Sequence, residues 1–268
     1  MDPLGFTSLV LLDEAVDLLE GPLRRAFGVI APKSSLTITP TEAYDSDQAV
    51  RCAVDGHEIV CAIFKGQIPA EEYDRAAKNS IFWLDADAAL ADHRGYLVMA
   101  AAEKETAQGL VRAQAIAMTR LAAALCEAMP ASGVFWTSGG VFSSPQAVIR
   151  ATTNISRGRW PVDVWVGWQV FKKKLSNQNI LAIRSRGAAE FLGFELQMPP
   201  FEATDNKEPM RILINTTAYL VGQGNIIPDG NTVIVKGERE TRYSVRMGRG
   251  GQPGIAELTI VGELPPET

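Results

Sequence analysis

Asp55-Gly56 is the strongest local constraint on how this chain folds, because the pair lies between two alternating runs and suits a two-residue type I′ hairpin turn. Both central residues of such a turn need positive φ, which glycine adopts freely and aspartate tolerates. In a hairpin over Gln48 to Phe64, Val54 faces His57, Cys52 faces Ile59 and Val50 faces Cys61. Strand side chains alternate between faces, so these six share one side of a sheet. Cys52, His57 and Cys61 therefore converge, but among Val50, Val54 and Ile59. Zinc wants four ligands, or three with an open position, so the expectation is a dry core face and no metal.

The flanking segments read as strand, helix, strand, strand, helix, strand over the first hundred residues. Phe6 to Leu12 is a continuous apolar run of strand length, and Asp13 to Phe27 has the spacing of a helix interrupted at Gly21-Pro22. Pro69 at a first helical position and Lys78 near the end mark a helix to Asn79, and a second helical stretch is expected over Ile81 to Leu90. Tyr96 to Ala102 is apolar enough for a buried strand. That order is the split βαβ pattern of ferredoxin-like domains. Glu105 to Met129 is the strongest helix, with Leu110, Val111, Ala117, Met118, Leu121, Ala122 and Leu125 on one face.

The expected fold class is α+β, with mixed or antiparallel sheets and packed helices, in halves 1–157 and 158–268 or as one compact domain. A 268-residue chain that is 46% hydrophobic and 21% charged is of ordinary soluble globular composition. Phe6 to Leu12 is too short for a signal peptide and is followed by Asp13 and Glu14, and no run approaches the roughly 20 apolar residues of a membrane span. Three cysteines cannot all pair, which fits free thiols and a cytoplasmic setting.

Two segments are candidates for binding. In the first, Gly139-Gly140 precede a helix start at Ser143-Ser144-Pro145, so that Ser138, Gly139, Gly140, Ser143 and Ser144 would offer amides and hydroxyls to an anionic ligand. The segment matches neither the P-loop nor the dinucleotide fingerprint, and Ser138 does not sit in a Gly-x-Ser-x-Gly elbow. With two histidines, both early in the chain, a serine triad has little material, and no residue is assigned a catalytic role.

The second is Ile155 to Gly187, which carries +6 while the rest of the chain carries −11. Arg157, Arg159, Lys172, Lys173 and Lys174, with Trp160 and Trp165, would form a surface for an acidic protein partner. Val164, Val166, Trp168 and Val170 alternate as a strand with Trp165 on its polar side. Lys172 to Asn179 is then the connection to a return strand over Ile180 to Arg184. Nucleic acid is an unfavoured partner at a net charge of −5 without a recognition motif.

Further along, Gly187 to Leu192 reads as a helical turn, and Phe194, Leu196 and Met198 alternate as a strand. Asp205-Asn206-Lys207-Glu208 has the form of a capping box, starting a helix that buries Met210, Leu213, Ile214, Thr217, Leu220 and Val221. Thr232 to Val235, Tyr243 to Met247 and Ile255 to Val261 form a terminal meander.

Gly187, Glu190-Phe191, Gly193-Phe194-Glu195-Leu196, Ala218-Tyr219-Leu220 and the turn Pro228-Asp229-Gly230-Asn231-Thr232 together resemble the bacterial domain of unknown function 4261 family. The resemblance covers about Arg186 to Gly262, with Phe194 where the family often has proline. It implies an α+β fold and a bacterial origin, and it carries no catalytic residue and no cofactor. By analogy with small bacterial immunity proteins, the leading expectation is a non-catalytic cytoplasmic protein that binds and occludes a toxin or effector. The alternative is an enzyme or small-ligand sensor with its anion at Ser138 to Ser144.

Overall fold

The computed structural model describes residues 6–41, 48–78, 80–103, 105, 107–175, 178–198, 200–202, 207–224, 232–236, 240–247 and 255–263. Side chains of 70–72, 108, 173–175, 178–179 and 202, and all those beyond 224, are outside that description. The fold is α+β, in two units, Met1–Val164 and Trp165–Thr268. The boundary expected at 157 falls in the turn after a helix that still belongs to the first unit.

The first unit is built on a seven-stranded antiparallel sheet. In chain order it holds β1 (Thr7–Leu12), α1 (Glu20–Ile30), β2 (Leu36–Pro40), β3 (Gln48–Val54), β4 (His57–Lys65), α2 (Ala70–Lys78), α3 (Ala86–Asp92), β5 (Gly95–Ala101), α4 (Gln108–Ala128), β6 (Ala131–Trp136), β7 (Val141–Ser143) and α5 (Pro145–Ser156). The sheet order is β2-β3-β4-β5-β1-β6-β7. The hairpin takes the expected register, with Val54 opposite His57, Cys52 opposite Ile59 and Val50 opposite Cys61. Asp55 and Gly56 have φ of 50° and 86°, as a type I′ turn requires. Asp55 also accepts from the Ser35 amide at 2.9 Å and pairs with Arg120 of α4 at 2.8 Å, so the turn is tied to β2 and to a helix.

A split βαβ arrangement is present, but not where the first hundred residues suggest. A ferredoxin-like order would place β1 between β4 and β5, whereas β4 pairs β5 directly. Its apolar residues match across that seam, with Cys61 opposite Met99 and Phe64 stacked on Tyr96 at 5.0 Å. The strand split is instead β5–α4–β6: both strands run antiparallel to β1, hence parallel to each other, with β1 between them. The order follows from the pairing of β1 with two strands far along the chain, as in Leu12 with Gly95 and Ser8 with Trp136, which local periodicity does not encode.

α4 fills one side of this sheet, touching β1, β3, β4, β5 and β6 and packing against α1 and α5. Its residues Ala117, Met118, Leu121, Ala122, Ala123, Ala124 and Leu125 are all buried, so it is apolar nearly all round in its second half. Leu110, expected on the core face, is 49% exposed at the first turn. By length and composition α4 would also span a membrane, but 67% of its most apolar window is buried inside the fold, as in a core helix. On the opposite side, α2 and α3 close a cluster of Leu9, Leu11, Ile68, Ala77, Ala86, Leu90, Phe135 and Phe142. α1 begins at Glu20, with Pro22 in its first turn, so Gly21-Pro22 opens the helix and does not interrupt it. β2, with Leu36 and Ile38 alternating, has no counterpart among the sequence expectations.

His93 follows α3 and is fully buried. Its Nδ1 donates to the Leu90 carbonyl at 2.6 Å and its Nε2 accepts from the Ile68 amide at 2.9 Å, which defines the neutral ring. Burial lowers its pKa below 6.5, against the raising effect of the Leu90 carbonyl. Because the unfolded chain then binds the extra proton, stability is full above about pH 6.5 and declines as the pH falls below it. The urea midpoint is therefore expected to drop between pH 7 and 5, and to drop less in His93→Gln. Equal slopes in the two proteins would remove His93 as the cause.

The second unit follows α6 (Val162–Trp165), which straddles the division. It holds β8 (Gly167–Leu175), β9 (Gln178–Arg186), α7 (Ala189–Leu192), β10 (Glu195–Gln197), β11 (Phe201–Glu202), α8 (Lys207–Gln223), β12 (Thr232–Lys236), β13 (Glu240–Met247) and β14 (Ile255–Glu263). β8 takes one edge of β9 along its whole length, so β10 and β11 share the other edge in tandem. β10 then pairs β14 in parallel, and β14, β13 and β12 form the expected antiparallel meander. α8 buries Ile212, Leu213, Thr216, Thr217, Leu220 and Val221. Met210 and Ile214 are partly exposed, so the buried stripe is rotated from the expected one. The capping box at 205–206, the 228–231 turn and the 248–254 connection lie outside the described residues.

Glu195 holds this unit's central crossing. Gly187, at φ 90°, turns the chain after β9 so that the amides of Gly187, Ala188 and Ala189 donate to the Glu195 carboxylate at 2.7, 3.2 and 3.4 Å. The buried Ser185 hydroxyl donates to the same carboxylate and accepts from the Leu196 amide at 2.8 Å. The carboxylate thus satisfies the open amides at the start of α7, and Gly193, at φ 79°, ends that helix. Glu195→Ala strands these donors and is expected to cost about 2–4 kcal/mol in denaturant unfolding, with Glu195→Gln costing less because one acceptor oxygen remains.

Candidate functional site

The glycine pair and the helix start expected to form one anion cradle are separated by a strand. Thr137 to Gly140 form the tight connection between β6 and β7, closed by the Gly140 amide donating to the Thr137 carbonyl at 3.1 Å. Gly140 has φ 59° there, a turn requirement and not a ligand approach. Ser143 is buried at the end of β7, opposite Val134. Ser144 caps α5 as expected, its Oγ accepting from the Ala147 amide at 3.2 Å, with Pro145 supplying no N–H at the first helical position. Two potential donors of the cradle are therefore committed or missing. Ser138 is different: its Oγ is shielded from solvent with no hydrogen-bond partner among the described residues.

The basic, tryptophan-bearing segment is divided between the two units. Arg157 and Arg159 are exposed and flank Gly158, whose φ of 70° terminates α5 through the Gly158 and Arg159 amides bonding to Ile155 and Asn154. Their charge also lies at the negative end of the α5 dipole. Trp160 is half-buried, and the Arg112 guanidinium of α4 sits 4.8 Å above its ring.

Trp165 is not a surface residue. It is fully buried and stacked on Phe191 at 5.2 Å, because Pro161 starts the helical turn α6 and the strand begins only at Gly167. The alternation over Val164 to Val170 was therefore a poor guide to its first half. Lys172, Lys173 and Lys174 lie within β8, opposite Leu181, Ile180 and Asn179, and not in a connecting loop. Among the described residues β8 pairs only with β9, and lysines on such an edge discourage pairing with another chain. Lys172 is exposed.

Cys52 and Cys61 are buried on the face of the sheet that meets α4, where their thiols hydrogen-bond to each other. That bond lowers the Cys52 pKa, while the same bond and burial raise that of Cys61. His57 is only partly buried at the hairpin's end. Among the described residues no group of three or more His, Cys, Asp or Glu is arranged to hold a metal ion.

Residues 81–85 are not helical; they form a loop between α2 and α3, and Ile81, Phe82 and Leu84 are 41%, 48% and 88% exposed. Trp83 alone turns inward and packs against the Leu9, Leu11 and Phe135 cluster. The signal was four consecutive apolar residues ahead of Asp85, a pattern with no helical period. The chain matches no family model, no curated protein and no solved structure.

The Trp83 seat depends on Gly133, where an added Cβ would lie 2.8 Å from the indole. Gly133→Ala is expected to displace the ring, destabilise the unit by about 1–3 kcal/mol and shift tryptophan fluorescence. An unchanged emission spectrum would show that the ring accommodates the methyl group in place.

Proposed function

We propose that this chain is a non-catalytic bacterial binding protein, an immunity or adaptor protein that occludes a toxin or effector. The observation that carries the reading is the Arg157-Gly158-Arg159 turn. It presents two exposed arginines on a hydrogen-bonded helix end beside the partly buried Trp160. Arginine and tryptophan are the residue types that most often anchor protein interfaces, and guanidinium groups suit carboxylates on an acidic partner. Lys172, Lys173 and Lys174 are proposed as a separate basic contact carried by the second unit, while Trp165, being fully buried, has no part in it.

The test is a pull-down from native bacterial lysate at low and moderate salt, comparing the wild type with Arg157→Glu/Arg159→Glu. The expected result is a stoichiometric protein partner whose capture falls about tenfold in the variant, with most of the difference at low salt. A partner captured equally by both proteins would remove these arginines from the interface.

The alternative, an enzyme or sensor that binds a small anion, is favoured by the buried Ser138 hydroxyl, which has no hydrogen-bond partner among the described residues. In a thermal-shift screen against phosphate, nucleotides and sugar phosphates, a ligand at about 100 times its Kd stabilises by about 2.7 kcal/mol. A shift abolished by Ser138→Ala would support that reading, and a flat screen would count against it.

A further inference from the structure

The α2–α3 loop is an apolar protrusion held in a set shape from below. The Ser80 amide donates to the Ala77 carbonyl and the Trp83 amide to the Ser80 carbonyl, each at 3.1 Å. The Ser80 hydroxyl donates to the Ala76 carbonyl and accepts from the Phe142 amide of β7, each at 3.0 Å. Trp83 fills the hollow above Gly133. Ile81, Phe82 and Leu84 are therefore displayed by a loop that is fixed at both its serine and its tryptophan. A loop whose apolar residues only needed shelter would fold them in along with Trp83. Contiguous exposed apolar side chains on a soluble fold mark a place where something else binds.

The charges around the loop indicate the kind of partner. Lys78 is engaged with Asp74 at 2.8 Å, and Asp85 and Asp87 follow the apolar residues directly as exposed carboxylates. Arg75 is the other exposed cation of α2. An anionic membrane would be repelled by the carboxylates next to Leu84. A protein pocket with an apolar floor and a basic rim would take the side chains and pair the acids at once.

We infer that the Ile81-Phe82-Leu84 loop, with Asp85 and Asp87, is a preformed plug for an apolar, basic-rimmed pocket on a protein partner. This rests on the binding-protein reading and adds a contact surface opposite in charge to the Arg157-Arg159 turn. The partner's two complementary features would then be an acidic area for the arginines and a basic-rimmed pocket for the loop.

The test compares full-length wild type, Phe82→Ser/Leu84→Ser and Asp85→Lys/Asp87→Lys in the same lysate capture. Thermal unfolding of each variant serves as the check that the surface changes leave the fold intact. Leu84→Asp alone is the substitute should the double change unfold. The expected result is one partner lost at least tenfold in the apolar variant, and weakened in the charge variant by an amount that shrinks with added salt. A partner retained equally by both variants overturns the plug and leaves the binding reading standing. No partner for the wild type overturns both. Two further outcomes overturn the plug: flotation of the wild type, but not of Phe82→Ser/Leu84→Ser, with phosphatidylcholine vesicles, or a dimer in sedimentation that the same variant dissolves. The first would assign the loop to a bilayer and the second to another copy of this chain.

Discussion

Burial of α4 against the antiparallel sheet is the interaction on which the first unit depends. The helix lies across β1, β3, β4, β5 and β6, and α1 and α5 pack against it. Five of its seven alanines, Ala115, Ala117, Ala122, Ala123 and Ala124, are buried, and small side chains let the neighbouring backbones approach. The connection also sets topology. Because α4 joins β5 to β6 on either side of β1, the first strand of the chain becomes central, and Val10, Leu11 and Leu12 lose all contact with solvent. Asp55 and Arg120 then join the hairpin turn to the same helix.

The second unit has a different organising contact, a carboxylate in place of an apolar helix. Glu195 gathers three successive amides and a serine hydroxyl at the point where β9 gives way to α7 and β10. A partly buried charge is tolerated there because hydrogen bonds replace the water it loses. Gly187 and Gly193 supply the positive φ that brings the chain out of the strand and out of the helical turn. Gly187, Gly193 and Glu195 thus have a shared structural use.

These two frameworks leave different surfaces for function. The apolar loop is displayed by the first unit because Trp83 and Ser80 hold it, while the arginine turn is displayed because Gly158 ends α5. Both are tied down by hydrogen bonds or packing within the first unit, and a contact surface that is already ordered loses less entropy on binding than one that must be ordered by the partner. The candidate anion cradle fares otherwise. A strand separates its glycines from its helix, and the helix cap is already satisfied from within by Ser144.

Where a feature depends on a few adjacent residues, it was legible in the sequence. The type I′ turn at Asp55-Gly56, its register, the Ser144 cap with Pro145 and the C-terminal meander all follow from local φ preferences and period-two alternation. The neighbours of β1, the inward turn of Trp165, the strand that carries Lys172 to Lys174 and the rotated stripe of α8 were not legible in this way. Each depends on what a distant segment covers. Trp165 and Phe82 are both large aromatic residues in apolar surroundings in the sequence, yet one is stacked on Phe191 and the other faces solvent. The sequence by itself determined the turns, caps and alternating strands, because those are set by backbone sterics and nearest-neighbour hydrogen bonds. Tertiary structure alone decided which apolar residues became core and which became surface, because burial requires a partner that local pattern does not name.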